Sequence, residues 1–111
     1  LKDRLDFPRC RIPSVVHVDF SARLQTVREN VHPDFHHLIK AFHILTGVPI
    51  LINTSFNVSG QPIVRTASEA WECFVNTEID LLVLNDQVFR NPCTKNREQK
   101  LAWLAQFAKS A

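Results

Sequence analysis

"PDFHHLIKAFHILTGVPILIN", residues 33 to 53, decides the fold. Pro33 suits the first turn of a helix, and Asp34 favours its positive N-terminal end. Phe35, Leu38, Ile39, Phe42 and Leu45 recur at three- and four-residue steps, so they form one apolar stripe on a helix over 33–46. Gly47 fits the C-terminal cap, where a left-handed residue is needed, and Pro49 prevents continuation. "PILIN" (49–53) then reads as a short, buried, β-branched strand. A helix that feeds straight into a buried strand points to helices packed on a sheet.

Working outward, "SVVHVDF" (14–20) and "LQTVRE" (24–29) read as two strands joined by the short turn "SAR", a link that suits a hairpin. Residues 1–13 are a charged lead-in broken by Pro8 and Pro13. Downstream, "TASE" predicts a capping box from Thr66 to Glu69 at the start of a helix burying Ala70, Trp71, Phe74 and Val75. "IDLLVLN" (79–85) is a further buried strand, and 95–109 an amphipathic helix carrying Leu101, Trp103 or Leu104, and Phe107. The expected class is α/β, of the α+β kind. It is one domain over 14–111 with an open, twisted sheet of mixed strand direction and helices packed on it.

At 111 residues with 45% apolar side chains, the chain is long enough to bury a core and too apolar for disorder. A net charge of +2 suits an anionic small molecule and is too weak to argue for nucleic acid. No apolar run approaches the ~20 residues of a membrane span, and no signal peptide is visible. Cys10, Cys73 and Cys93 form no close pair and leave an odd thiol. This predicts a reducing, cytoplasmic setting with incidental thiols. The absence of methionine predicts a processed or truncated piece of a larger parent chain.

"NTSFNVSGQP" (53–62) follows the strand "PILIN". In open sheets ligands bind beyond the carboxyl ends of strands, and a glycine-containing loop can offer backbone N–H groups to an anion. Asn53, Thr54, Ser55, Asn57, Ser59 and Gly60 supply many short polar groups there; the competing reading is a well-capped turn. No Walker loop or dinucleotide fingerprint is present. His17 and Asp19 alternate with Val16 and Val18, so they share one strand face, which looks either into a ligand cleft or into solvent. Arg65, just after the loop, is within reach of an anion. His32, His36, His37 and His43 lack metal-binding spacing and read as a solvated helix face. Trp71 and Phe74 read as core, and "KNREQK" as the polar side of the last helix.

"NTSFNVSGQPIV" resembles the loop of the NodU/CmcH-type O-carbamoyltransferases, and is similar to the S-T-S-A-N-x-S-G loop of YrdC-type proteins. "HVDFSARLQTV", "FHHLIKAFHILTGVPILINTSFN" and "IDLLVLNDQVF" resemble further elements of the same carbamoyltransferases, in order, from about Ile12 to Phe89. The likeness covers the later part of that family's C-terminal, YrdC-like domain. The start of that domain and the larger N-terminal transferase domain have no counterpart.

The resemblance implies a chemistry in two steps. The YrdC-like domain takes carbamoyl phosphate and ATP, with Mg, and forms carbamoyl-adenylate; the other domain passes the carbamoyl group to an acceptor hydroxyl. The implied catalytic residues are Arg23, Ser55 and Asn57. Asn53, Thr54, Gly60, Arg65, His17 and Asp19 are implied as ligand contacts. The family's lysine lies on an earlier strand and has no match here, Lys2 included. Ser59 stands where the family loop more often carries a basic residue. An arginine forks onto phosphate or carboxyl-like oxygens, and Ser55 and Asn57 would orient the carbamoyl group, so catalysis is positioning and electrostatics. Two other readings compete: a stand-alone, non-catalytic module of the same fold, and a YrdC-type threonylcarbamoyl-adenylate synthase relative. A sheet cut before its lysine strand leaves an open edge, which predicts a homo-oligomer or an uncovered apolar patch.

Overall fold

The computed structural model describes residues 15–17, 19 and 21–108. The lead-in 1–13, Ser14, Val18 and Phe20 of the first expected strand, and position 109 of the last expected helix lie outside the described residues. The chain divides into two compact units, Leu1–Asn53 and Thr54–Ala111.

The first unit holds helix α1, Pro33–Thr46, where the apolar spacing placed it. Pro33 occupies the first turn, and Gly47 closes the helix at φ 74°, its N–H donating to His43 O at 2.8 Å. Thr46 Oγ1 adds a bond to Phe42 O at 2.7 Å and accepts from Val48 N–H at 3.1 Å, turning the chain out of the helix. None of the α1 residues is buried, and Leu38 and Leu45 are 57% and 83% exposed.

The described residues of 14–20, 24–29 and 49–53 form no strand ladder, contrary to expectation. A local turn competes with the expected hairpin among the described residues. Asp19 Oδ1 accepts from Ser21 N–H at 3.0 Å and Ser21 Oγ–H at 2.7 Å, closing a turn of its own on the residues meant to extend. "PILIN" has the apolar content of a buried strand but no pairing segment among the described residues. A ladder needs the N–H and C=O groups of a neighbour as well as a suitable sequence.

The second unit carries the core. Helix α2, Ala67–Val75, starts at Thr66, whose hydroxyl accepts from Glu69 N–H at 3.1 Å. The other half of the expected box is displaced by one residue, because the Glu69 carboxylate accepts from Arg65 N–H at 2.8 Å. Strands β1, Leu81–Leu84, and β2, Gln87–Arg90, pair antiparallel with Leu82 opposite Phe89 and Val83 opposite Val88. Asn85 enters the two-residue turn at φ 54°, a conformation asparagine tolerates better than most side chains. The class is thus α+β with an open sheet. The described sheet is this antiparallel pair alone, in place of the expected mixed directions.

Ala70, Phe74, Val75 and Leu82 form the buried cluster, with Phe56, Val64, Ile79, Leu84 and Phe89 packed against it. Trp71, expected in the core, is 42% exposed and stands edge-on to both Phe74 and Phe89 at its margin. "IDLLVLN" is buried on one face only. Leu82 points into the core, whereas Leu81 and Val83 are exposed. Asn91 joins the pieces: its Nδ2 donates to Phe74 O and Ile79 O at 2.9 Å and to Thr77 O at 3.2 Å, fixing the end of α2 to the entry of β1.

Helix α3, Arg97–Ala105, opens with a complete capping box between Asn96 and Gln99. Trp103 is buried and donates its Nε1–H to Glu72 Oε1 at 2.9 Å, holding α3 to α2. Leu101, expected beside it in the apolar stripe, is exposed.

Candidate functional site

In the second unit the loop after Asn53 is a knot of short bonds. Asn57 Nδ2 donates to Gln61 O at 2.9 Å and to Val58 O at 3.2 Å. Gln61 returns the contact, with its N–H on Val58 O at 3.0 Å and its Oε1 accepting from Val58 N–H at 3.1 Å. Val64 N–H donates to Phe56 O at 3.0 Å, which closes the loop across its base and seats Phe56 on the core. Gln61 was not marked by its sequence context, although its spacing of four from Asn57 suits a loop brace.

The two halves of the Asn57 amide have different fates. Its NH2 is spent inside the loop, and the two facing carbonyls fix which way the amide points. Its Oδ1 is shut away from solvent with no hydrogen-bond partner among the described residues. An orphaned buried acceptor of this kind is unfavourable until a donor reaches it. Thr54 and Ser55, by contrast, are exposed, and their hydroxyls make no hydrogen bond among the described residues. Ser55 contributes only its carbonyl, which accepts from Asn57 N–H at 3.2 Å. Asn57 thus shapes the loop, and Ser55 presents a free hydroxyl on it.

Asn57→Ala removes both donations but also the orphaned oxygen, so we expect a loss of about 1–2 kcal/mol in the second unit's stability. The denaturant midpoint measures it, and an unchanged midpoint would mean that the brace contributes nothing.

Gly60 sits at φ 82°, and a Cβ built there would run into the carbonyl of Phe107. Close passage of the chain after α3 accounts for this glycine on packing grounds. Arg65 lies at the other end of the loop with its guanidinium 3.6 Å from Glu69 Oε1 on an exposed helix start, a weak pair that leaves the group available to an anion.

In the first unit, His17 N–H donates to Ser21 O at 2.9 Å, so His17, Asp19 and Ser21 share one turn and not a strand face. The Ser21 hydroxyl bond, helped by the Ser21 N–H, holds the Asp19 carboxyl below the usual aspartate range. Arg23 follows, exposed and without an ion pair among the described residues. Asn53 closes the unit, also exposed. The structure therefore brings Ser55, Asn57 and Gly60 into one loop, and His17 and Asp19 into one turn.

Cys73 and Cys93 are free thiols, and burial pushes the Cys73 thiol up, away from reactive thiolate. Among the described residues no three His, Cys, Asp or Glu side chains converge as a metal site, and no described helix is long and apolar enough to cross a membrane.

Residues 4–91 match the family described as carbamoyltransferase C-terminus. The chain is 43% identical over 105 residues to the uncharacterized protein sll1178 of a Synechocystis strain, covering 95% of this chain and 17% of that protein. It is 44% identical over 77 residues to the nodulation protein NolNO of Sinorhizobium fredii, covering 69% of this chain and 11% of that one. It is 45% identical over 56 residues to the 3'-hydroxymethylcephem-O-carbamoyltransferase of Amycolatopsis lactamdurans, covering 50% and 11%. The chain thus spans between 11% and 17% of the length of these relatives. No solved structure matches it.

Proposed function

The chain belongs to the carbamoyltransferase C-terminus family, and from that premise we propose that it is the C-terminal part of a longer, ATP-dependent O-carbamoyltransferase of the cytoplasm. Its YrdC-like portion binds carbamoyl phosphate and ATP and makes carbamoyl-adenylate. Water first cleaves carbamoyl phosphate to carbamate and orthophosphate; a carbamate oxygen then forms a bond to the α-phosphorus of ATP as the bond from that phosphorus to pyrophosphate breaks. The rest of the longer polypeptide passes the carbamoyl group to an acceptor hydroxyl.

The observation that carries this reading is the family match across the loop that presents Thr54 and Ser55. Ser55 donates its hydroxyl to a phosphate or carbamoyl oxygen, while Asn57 holds the loop that presents it. Arg23 supplies the guanidinium fork for an anionic oxygen, and Arg65 adds a second cation at the loop's end. Within the second unit, Thr54 and the loop's N–H groups, Gly60 among them, suit the anion that Arg65 would face. Asn53, His17 and Asp19 are further polar contacts for the ligands. Among the described residues no three His, Cys, Asp or Glu side chains converge, so none of them is assigned to hold the Mg that would accompany ATP.

The test is carbamoyl-phosphate-dependent exchange of pyrophosphate into ATP by the longer polypeptide, beside this chain alone. Exchange by the first and none by the second is expected, because no residue here matches the family's lysine. Ser55→Ala in the longer polypeptide should slow exchange roughly tenfold or less, since a neutral hydroxyl contact is worth about 0.5–1.5 kcal/mol. The second reading, a module that keeps the fold without the chemistry, is favoured by the consumption of the Asn57 amide within its own loop. Absence of exchange in a folded longer polypeptide would select it.

A further inference from the structure

We infer that Phe107, in the turn that ends α3, is a positioning residue for the loop 54–61: it sets the loop through Gly60 before any ligand arrives, and so tightens the binding of carbamoyl phosphate. The inference deepens the carbamoyl-adenylate reading of that loop and rests on it.

The first observation is how the loop is held at its far end. Gly60 sits at φ 82°, with the carbonyl group and Cβ of Phe107 against the place where a side chain would stand. Only glycine lets the two backbones approach so closely there. The next residue, Gln61, braces the loop. Its N–H donates to Val58 O, its carbonyl accepts from Asn57 Nδ2, and its Oε1 accepts from Val58 N–H. Phe107 therefore abuts the chain one residue before the group that holds Asn57 and Val58, in the loop that presents the Ser55 hydroxyl. Exposed polar loop tips are ordinarily the most mobile part of a domain. Main-chain contact at Gly60 takes that freedom away, so less ordering is left for the ligand to supply.

The second observation is that the end of α3 is itself anchored. Trp103 is buried and gives its Nε1–H to Glu72 Oε1 at 2.9 Å. Lys100 Nζ donates to Glu78 Oε1 at 2.7 Å. The Phe107 ring stands edge-on to Trp103 with centroids 5.0 Å apart, and Phe107 N–H donates to Leu104 O at 3.1 Å. The ring thus seats the turn on the buried indole, and the main chain of the turn meets the loop. Residues 4–91 carry the family match and α3 follows them, so this support reaches the loop from outside the matched residues.

Phe107→Ala in the longer polypeptide tests this, with Phe107→Tyr, which keeps the ring, beside it. Two readouts are taken on the same preparations. One is hydrogen–deuterium exchange at the Val58 and Gln61 amides, with the α2 amides as the standard of folding. The other is the kinetics of carbamoyl-phosphate-dependent pyrophosphate exchange. Phe107→Ala should speed amide exchange at Val58 and Gln61 roughly tenfold or more while the α2 amides stay protected. It should raise the KM for carbamoyl phosphate roughly three- to tenfold with kcat nearly unchanged, because the ligand must then order the loop. Phe107→Tyr should behave as the parent in both readouts. Unchanged loop amides in Phe107→Ala overturn the inference. So does a loosened loop with an unchanged KM, which leaves Phe107 a packing role only, and so does an equal loss of protection in α2, which assigns Phe107 to the fold. Absence of pyrophosphate exchange in a folded parent rejects the carbamoyl-adenylate reading, and the binding role with it. An active parent whose KM ignores Phe107→Ala rejects the inference alone.

Discussion

Arg23→Ala in the longer polypeptide is expected to cut carbamoyl-phosphate-dependent ATP–pyrophosphate exchange by roughly ten- to a hundred-fold, the equivalent of a charge-assisted contact of ~1.5–3 kcal/mol. Its melting temperature should stay where it is. Both halves of this expectation come from the same observation. The Arg23 side chain is exposed and forms no ion pair among the described residues, so it does no work for the fold there. A guanidinium kept free in water is available to an anionic ligand. Arg23→Lys should fall between the parent and alanine, because lysine keeps the charge and loses the planar fork. Exchange at the parental rate in Arg23→Ala would remove this residue from the site and favour the non-catalytic module. Reduced exchange together with a fallen melting temperature would assign Arg23 to the fold instead.

Phe74→Ala should cost the second unit about 3–5 kcal/mol. Phe74 is fully buried, in the middle of the cluster with Ala70, Val75 and Leu82. Its ring meets Trp71 edge-on with centroids 5.7 Å apart, and its carbonyl is one of the three held by Asn91. Removing the ring opens a cavity where α2 meets β1, in a unit with few other buried side chains. Against the ~5–15 kcal/mol total of a typical domain, that loss takes the unit near unfolding. Urea titration followed by tryptophan fluorescence measures it. Trp71→Ala, at the half-exposed margin, should cost clearly less. A Phe74→Ala loss below about 1 kcal/mol would mean that this cluster is not what holds the unit together.

What the sequence made legible was local. Helix α1 was readable from end to end because Pro33, the apolar spacing and Gly47 all act within a few residues of the backbone they shape. Thr66 marked the start of α2 for the same reason. The strands were a different matter. "SVVHVDF", "LQTVRE" and "PILIN" carry strand-like side chains, but pairing is decided by a partner that local composition does not name. At Asp19 a side-chain turn competes directly with extension. Strand β2 went unread although Asn85 and Asp86, between two apolar runs, carry the short-turn signal that joins it to β1. The polar loop was legible as a cluster, and its division of labour was not. Asn57 and Ser55 look equivalent in the string, yet one amide is consumed by Val58 and Gln61 while the other side chain stands free. Gly60 likewise looked like part of a cradle, and its close neighbour is the main chain of Phe107.

The central claim is that this family member works in an enzyme that joins a carbamoyl group to adenylate. The direct measurement is a single-turnover reaction of the longer polypeptide with radiolabelled carbamoyl phosphate and Mg-ATP, with no acceptor alcohol present. The account predicts labelled carbamoyl-adenylate and an equal amount of pyrophosphate, with the label chased onto an alcohol when one is added. Formation of ADP in place of pyrophosphate, or transfer of the label to an alcohol without any adenylate intermediate, would contradict it.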